Sequence, residues 1–288
     1  MNDVHAVPVL QRAKKARFSL RKRTIAVLVL TVGFLLTITV AGVLCGDAAV
    51  TTDFTQKNFA PSFADPFGTD WLGRDMLART LRGLSISIFI GLGASTVSAV
   101  IALILGTMAA TLGSKVDAVI TWLVDLLMGI PHLLLLILIS FALGKGTVGV
   151  IVAVALSHWP SLTRVLRGEI LQIKEEDYVK IARKMGQSRW QIAVKHILPH
   201  IFPQFLVGLI LLFPHAILHE ASITFLGFGL PPEQPGIGNI LSESMSYLSM
   251  GMWWLAVFPG VALLLTVILF DTAGGNLRKL IDPFSAQD

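Results

Sequence analysis

The sequence predicts an all-α integral membrane protein with six transmembrane helices. Three observations lead there. Of 288 residues, 54% are hydrophobic and only 14% are charged, about half the charge of a soluble protein. No Asp, Glu, Lys or Arg occurs in 24–46, 83–114, 146–163, 196–219 or 244–270, and 116–144 carries only Asp117 and Asp125. Most of these runs reach the ~20 residues that a helix needs to cross a bilayer. They are continuous rather than alternating, which excludes a closed β-barrel.

Residues 1–23 are a basic tail, with seven Lys and Arg between Arg12 and Arg23. The first span, 24–46, is longer than the apolar core of a signal peptide, so a retained helix is expected. An extracytoplasmic segment, 47–82, follows. The transmembrane core is placed at 83–276 and a second tail at 277–288. Helix 2, about 84–112, is rich in Gly, Ala, Ser and Thr, residues that let helix backbones approach closely in lipid. Helix 3, about 117–143, holds Asp125, expected to pair in the interior with an interfacial Arg or Lys. A kink is expected in helix 3 at Gly129-Ile130-Pro131. Helices 4, 5 and 6 are placed at about 147–163, 200–222 and 252–272, with a Gly- and Pro-rich outer segment between the last two. Run 146–163 is short, but its flanking arginines can snorkel.

The charged stretch 164–199 separates helices 4 and 5. It holds eight basic residues and four acidic ones. Glu175, Glu176 and Asp177 begin a short helix at its dipole-positive end, and Lys180, Arg183 and Lys184 close it. Tyr178, Ile181, Ala182 and Met185 recur at helical spacing as one apolar face. Gly186 stands where a helix end calls for positive φ. Ser188 with Gln191 is a capping-box pattern that restarts the helix. Lys and Arg mark the cytosolic side of a membrane protein. The N-terminus, the charged loop and the tail with Arg278 and Lys279 are therefore expected inside, which requires an even number of spans.

Several chemistries are excluded. The sequence GKGT, Gly144 to Thr147, has Ile139 where a phosphate-binding loop needs its first glycine. ATP hydrolysis is thus expected only in trans. No HExxH, nucleophile elbow or Ser/His/Asp arrangement is present, so the chain is not expected to be an enzyme. The single Cys45 supports neither a disulfide framework nor a thiolate cluster. A basic tail leading directly into a span does not point to nucleic acid.

Polar groups at membrane depth are costly and mark function. Here they are His132, His158, His215, His219 and Glu220, read as a substrate pathway. His158 lies about 11 residues into helix 4, near mid-membrane at ~1.5 Å per residue. His132 follows Pro131 and either lines the path or fills the kink. His215 and His219, at i and i+4, share one helix face and can share a metal ion. They serve equally as interhelical hydrogen-bonding groups.

The stretch DYVKIARKMGQSRWQIAVKHILPH resembles the cytosolic coupling loop of bacterial ABC importer permeases, in their peptide/nickel branch. Lys180-Ile181-Ala182 stands at the position of the family's small residues, Gly186 is its glycine, and His196-Ile197-Leu198-Pro199 is its ending. Gly68, Thr69, Asp70, Leu72, Gly73, Arg74 and Asp75 resemble an element found before the core in the same branch. That element either touches a binding protein or anchors helix 2. The resemblance covers nearly all of 67–284. It implies a type I ABC importer permease fold in the bacterial cytoplasmic membrane. It implies that Asp177, Tyr178, Ala182, Arg183, Gly186, Ser188, His196, Leu198 and Pro199 couple the chain to an ATPase. The implied partners are a second, homologous permease subunit, two ATPase subunits carrying ATP and Mg, and an extracytoplasmic substrate-binding protein. No cofactor is expected on this chain itself. SHWPSLTRVLR and PHAILHEASITFLGFGL are similar to the nickel-importing members, which implies nickel as ion or small chelate. Peptide or metallophore import are the alternatives.

Overall fold

The computed structural model describes residues 6–281, with side chains from residue 21. Parts of both expected tails, 1–5 and 282–288, lie outside the described residues, as do the side chains of the basic residues between Arg12 and Arg17. The described chain is helical. The long helices are α1 (Ala6–Leu44), α2 (Met76–Thr111), α5 (Gly146–Ile173), α8 (Leu198–Phe225) and α10 (Trp254–Ile281). Shorter ones are α3 (Ser114–Met128), α4 (His132–Ala142), α6 (Asp177–Lys184), α7 (Arg189–Ile192) and α9 (Ile237–Leu248). Five helices are long and apolar enough to cross a membrane, and α3 with α4 makes a sixth crossing if that bent pair is one span.

Expected helix 3 is broken rather than kinked. Its halves meet at 95°. Pro131 has no N–H to donate and disfavours helical backbone at the residue before it, so α3 stops and α4 starts afresh at His132. Other boundaries also shift. Met76 rather than about residue 84 begins α2, because Asp75 Oδ1 accepts from the Leu77 and Ala78 amides at 2.7 and 3.4 Å and caps the helix about eight residues early. α5 runs on to Ile173, ten residues beyond its apolar part, since Arg, Leu and Glu are good helix formers and charge alone does not end a helix. The Gly- and Pro-rich segment after α8 contains α9. Its start is tied down by Asn239 Nδ2, which donates to the carbonyls of Pro231 at 2.8 Å and Gln234 at 3.0 Å.

α2 is the central helix, packed on α1, α5 and α8, with α10 laid across α1 and α8. Its small residues sit at the crossings, as expected. Ala94, Ser95, Ser98, Ala99 and Ala102 are buried. At the α1–α2 crossing a Cβ on Gly42 would lie 2.1 Å from the Leu81 carbonyl oxygen, so only glycine permits that approach.

Residues 68–79 form a charge-locked turn. The Asp70 carboxylate, 2% exposed as a residue, accepts from the amides of Leu72 and Arg74. It also accepts from Arg74 Nε at 2.6 Å and Arg79 Nη1 at 2.5 Å. Both arginines continue to Glu243 Oε2 on α9. The side chain of Thr69 donates to the Gln56 carbonyl. The turn therefore anchors α2 and holds α9 against it.

Candidate functional site: a coupling surface and an imidazole-lined cavity

The charged stretch folds into two short helices around a turn. Asp177 is the first residue of α6 and Ser188 caps α7, with the reciprocal Ser188–Gln191 capping box present. Gly186 has φ +83°, a region costly to residues with a Cβ. His196 Nε2 lies 3.0 Å from Gln187 Oε1, tying the turn to a π-helical stretch, Ala193–Ile197. Leu198 and Pro199 open α8, where a proline costs no helical hydrogen bond.

The expected apolar stripe divides in two. Ala182 turns inward with Val179, at 5% and 0% exposure, beside Ile192 and Ile197. Tyr178, Ile181 and Met185 face out, joined by Trp190 and Val194. Successive residues rotate by about 100°, so α6 presents one face to the bundle and a second apolar face to whatever binds there. Arg183 is exposed. Trp190 and Val194 were not singled out in the sequence, because their exposure depends on which way α7 rolls. Burial, more than neighbouring Glu176, raises the Tyr178 phenol above its ordinary pKa.

Two cations of this stretch close the end of α2. Lys174 Nζ donates to the Ala110 carbonyl at 2.5 Å and Arg189 Nη1 to the Leu112 carbonyl at 3.2 Å. Terminal carbonyls lack helical partners and carry the negative end of the dipole. Burial, and after it Arg183, hold the Lys174 ammonium below its usual pKa.

α5 is also laced to α3. Arg167 grips Asp117 bidentately at 2.5 and 2.6 Å, and Arg164 meets Asp125 at 2.7 Å. Asp125 thus has its arginine, but not in the interior. The two side chains are 60% and 54% exposed, because the face of α3 that carries Asp125 points away from the core while its neighbour Val124 is buried.

Between α3, α4, α5 and α8 lies a cavity of about 700 Å³. Its walls are mostly apolar, from Leu127, Leu162, Val165, Leu211 and Leu212. The polar exceptions include His132, His158, His215 and His219. Three of these converge. His132 starts α4, His158 lies mid-way along α5 and His219 on α8, with ring centroids 4.4 to 5.1 Å apart. One ring nitrogen from each lies within 4.8 Å of the other two. His215, one turn below His219, lines the same cavity but stands outside this cluster, its Nδ1 3.0 Å from the Leu211 carbonyl oxygen. The i, i+4 relation thus placed two histidines on one wall, while the convergent set comes from three helices.

Glu220, expected on the pathway, is not on the cavity wall. It follows His219 by one residue and so points about 100° away. Fully buried, its carboxylate accepts from Ser87 Oγ at 2.5 Å and Thr224 Oγ1 at 2.9 Å.

Long apolar helices around a half-open cavity, with an amphipathic pair of short helices at one end, define a membrane permease subunit. The family described as "Binding-protein-dependent transport system inner membrane component" matches residues 98–284. The chain belongs to this family. It is a multi-pass inner-membrane permease of a binding-protein-dependent ABC importer, not the ATPase, and works with ATPase and binding-protein partners. A putative peptide transport system permease protein of Brucella suis is 34% identical over 98% of this chain and 94% of its own length. The dipeptide transport system permease protein DppC of Bacillus subtilis is 33% identical over 82% of this chain and 74% of its own. Among solved structures, one titled for inward-facing conformations of the MetNI methionine ABC transporter superposes with a TM-score of 0.58 at 21% identity. It covers 72% of this chain and 98% of that one and shares the fold.

Proposed function

We propose that this chain carries short peptides across the cytoplasmic membrane. The observation that supports this best is the similarity, nearly full-length in one case, to permeases named for peptide transport. The cavity agrees in kind, since ~300–1,000 Å³ with apolar walls and a few polar groups suits a small organic ligand. The exposed face of Tyr178, Ile181, Met185, Trp190 and Val194 is the surface offered to an ATPase subunit. ATP and Mg sit on two such subunits, a second homologous permease completes the pathway, and an extracytoplasmic binding protein delivers the cargo. ATP-driven closure of the ATPase pair draws the α6–α7 segments together and rocks the helices outward. The N-terminus, the charged loop and the C-terminus face the cytosol.

A second reading, nickel as ion or small chelate, is favoured by one observation: the imidazoles that form the polar part of the cavity wall. Uptake by the complex, purified from its host through a tagged copy of this chain and reconstituted in proteoliposomes with its binding protein, decides between them. ATP-dependent accumulation of labelled dipeptide is expected. Accumulation of radioactive nickel with no peptide uptake would overturn the peptide reading.

A further inference from the structure

The three converging imidazoles have an unusual hydrogen-bond inventory. His158 is 7% exposed. Its Nδ1 lies 2.9 Å from the Val154 carbonyl oxygen. Ser157 Oγ lies 3.0 Å from the same Nδ1 and itself donates to the Val154 carbonyl, so a hydrogen on Nδ1 satisfies both contacts and leaves Nε2 with its lone pair. That buried Nε2 has no hydrogen-bond partner, and neither has the buried Nε2 of His132. Leaving buried polar groups unpaired is unfavourable, and two of them meet beside His219. A hydrogen-bonding role would pair these nitrogens, whereas here neither has a partner although both are buried.

We propose that His132, His158 and His219 form a transit site for a divalent transition-metal cation of the Ni, Co, Cu or Zn class. Imidazole nitrogen suits these ions, and oxygen-seeking Mg or Ca would find no carboxylate. At a metal–nitrogen distance of ~2.0–2.1 Å, tetrahedral ligands stand roughly 3.4 Å apart. The nitrogens lie within 4.8 Å of one another, so an inward shift on the order of 1 Å per ring closes the set. The Val154 carbonyl already orients His158, as outer partners do for metal-bound histidines. The ligand set is neutral, since Glu220 turns toward Ser87. The fourth position opens onto the cavity and is free for water or a donor atom of the cargo. A neutral, open, three-ligand site on a transport path suits an ion that must leave again. The site deepens the metal reading and rests on it only for its physiological purpose.

The test is Co(II) titration of the full chain, purified without a polyhistidine tag in lipid nanodiscs, followed by electronic absorption. One Co(II) per chain is expected, with three imidazoles counted by X-ray absorption. His132→Gln, His158→Gln and His219→Gln should each raise the Co(II) dissociation constant by about tenfold or more, and His215→Gln should leave it unchanged. No Co(II) binding by the wild type overturns the proposal. So does loss of binding on His215→Gln with His132→Gln silent, which would assign the ion to the i, i+4 pair. Should a variant fail to fold, the ligand count on the wild type decides, and fewer than three imidazoles sinks the three-helix set. Peptide uptake in buffer stripped of transition metals tests the peptide reading by itself, so either can fail while the other stands.

Discussion

Gly186 and Asp70 show how much a single residue carries. At φ +83° with no neighbour within 4 Å of a built Cβ, Gly186 has space for a side chain but the wrong backbone for one. Alanine there should cost roughly 1–2 kcal/mol of local stability, and Gly186→Val more, since a β-branched residue fits that region worst. The expected outcome is a complex that still inserts but loses transport-coupled ATP hydrolysis, read by ATPase assay on the purified assembly. Unchanged stimulated activity would remove the turn from the coupling role. Asp70 differs, because its task is to pair two arginines, one of them 2% exposed. Asp70→Ala leaves Arg79 a buried, half-paired cation, a loss of about 3–5 kcal/mol. The melting temperature in detergent should fall well below that of Glu243→Ala, whose carboxylate is more exposed.

Elements meet where small residues allow it. Gly42→Ala puts a methyl 2.1 Å from the Leu81 carbonyl oxygen, and because the obstacle is backbone, α1 itself must move. Gly33→Ala on the same helix meets nothing within 4 Å and gains helix propensity. Thermal unfolding in detergent should therefore separate the two, with Gly42→Ala destabilised and Gly33→Ala equal to or above wild type. At the other end of α2, Lys174 and Arg189 supply the partners that its last carbonyls lack. The charged loop is thus bonded to the central helix, which packs on α5 and α8 of the cavity wall.

For the whole molecule, orientation is the property that most needs a direct test. Gln187→Cys in a Cys45→Ser background should resist membrane-impermeant thiol reagents in intact cells and react after permeabilisation. Labelling from outside would invert the arrangement and detach the α6–α7 surface from any cytosolic ATPase.

Much of this was legible in the chain itself because it depends on local chemistry. Uncharged runs reveal spans since a buried charge is costly over any stretch of lipid. Asp177, Gly186 and the Ser188–Gln191 box reveal their helix and turn because caps act over three or four residues. The depth at which helices continue past the membrane was not legible, as α5 showed at Arg164 to Ile173, because charge limits insertion but not helicity. The meeting of His132, His158 and His219 was beyond reach for another reason. Periodicity relates residues on one helix, and so it offered His215 with His219. The approach of α4 to α5 and the roll of α8 are tertiary outcomes of packing between helices far apart in sequence, and they alone bring the three imidazoles to one point.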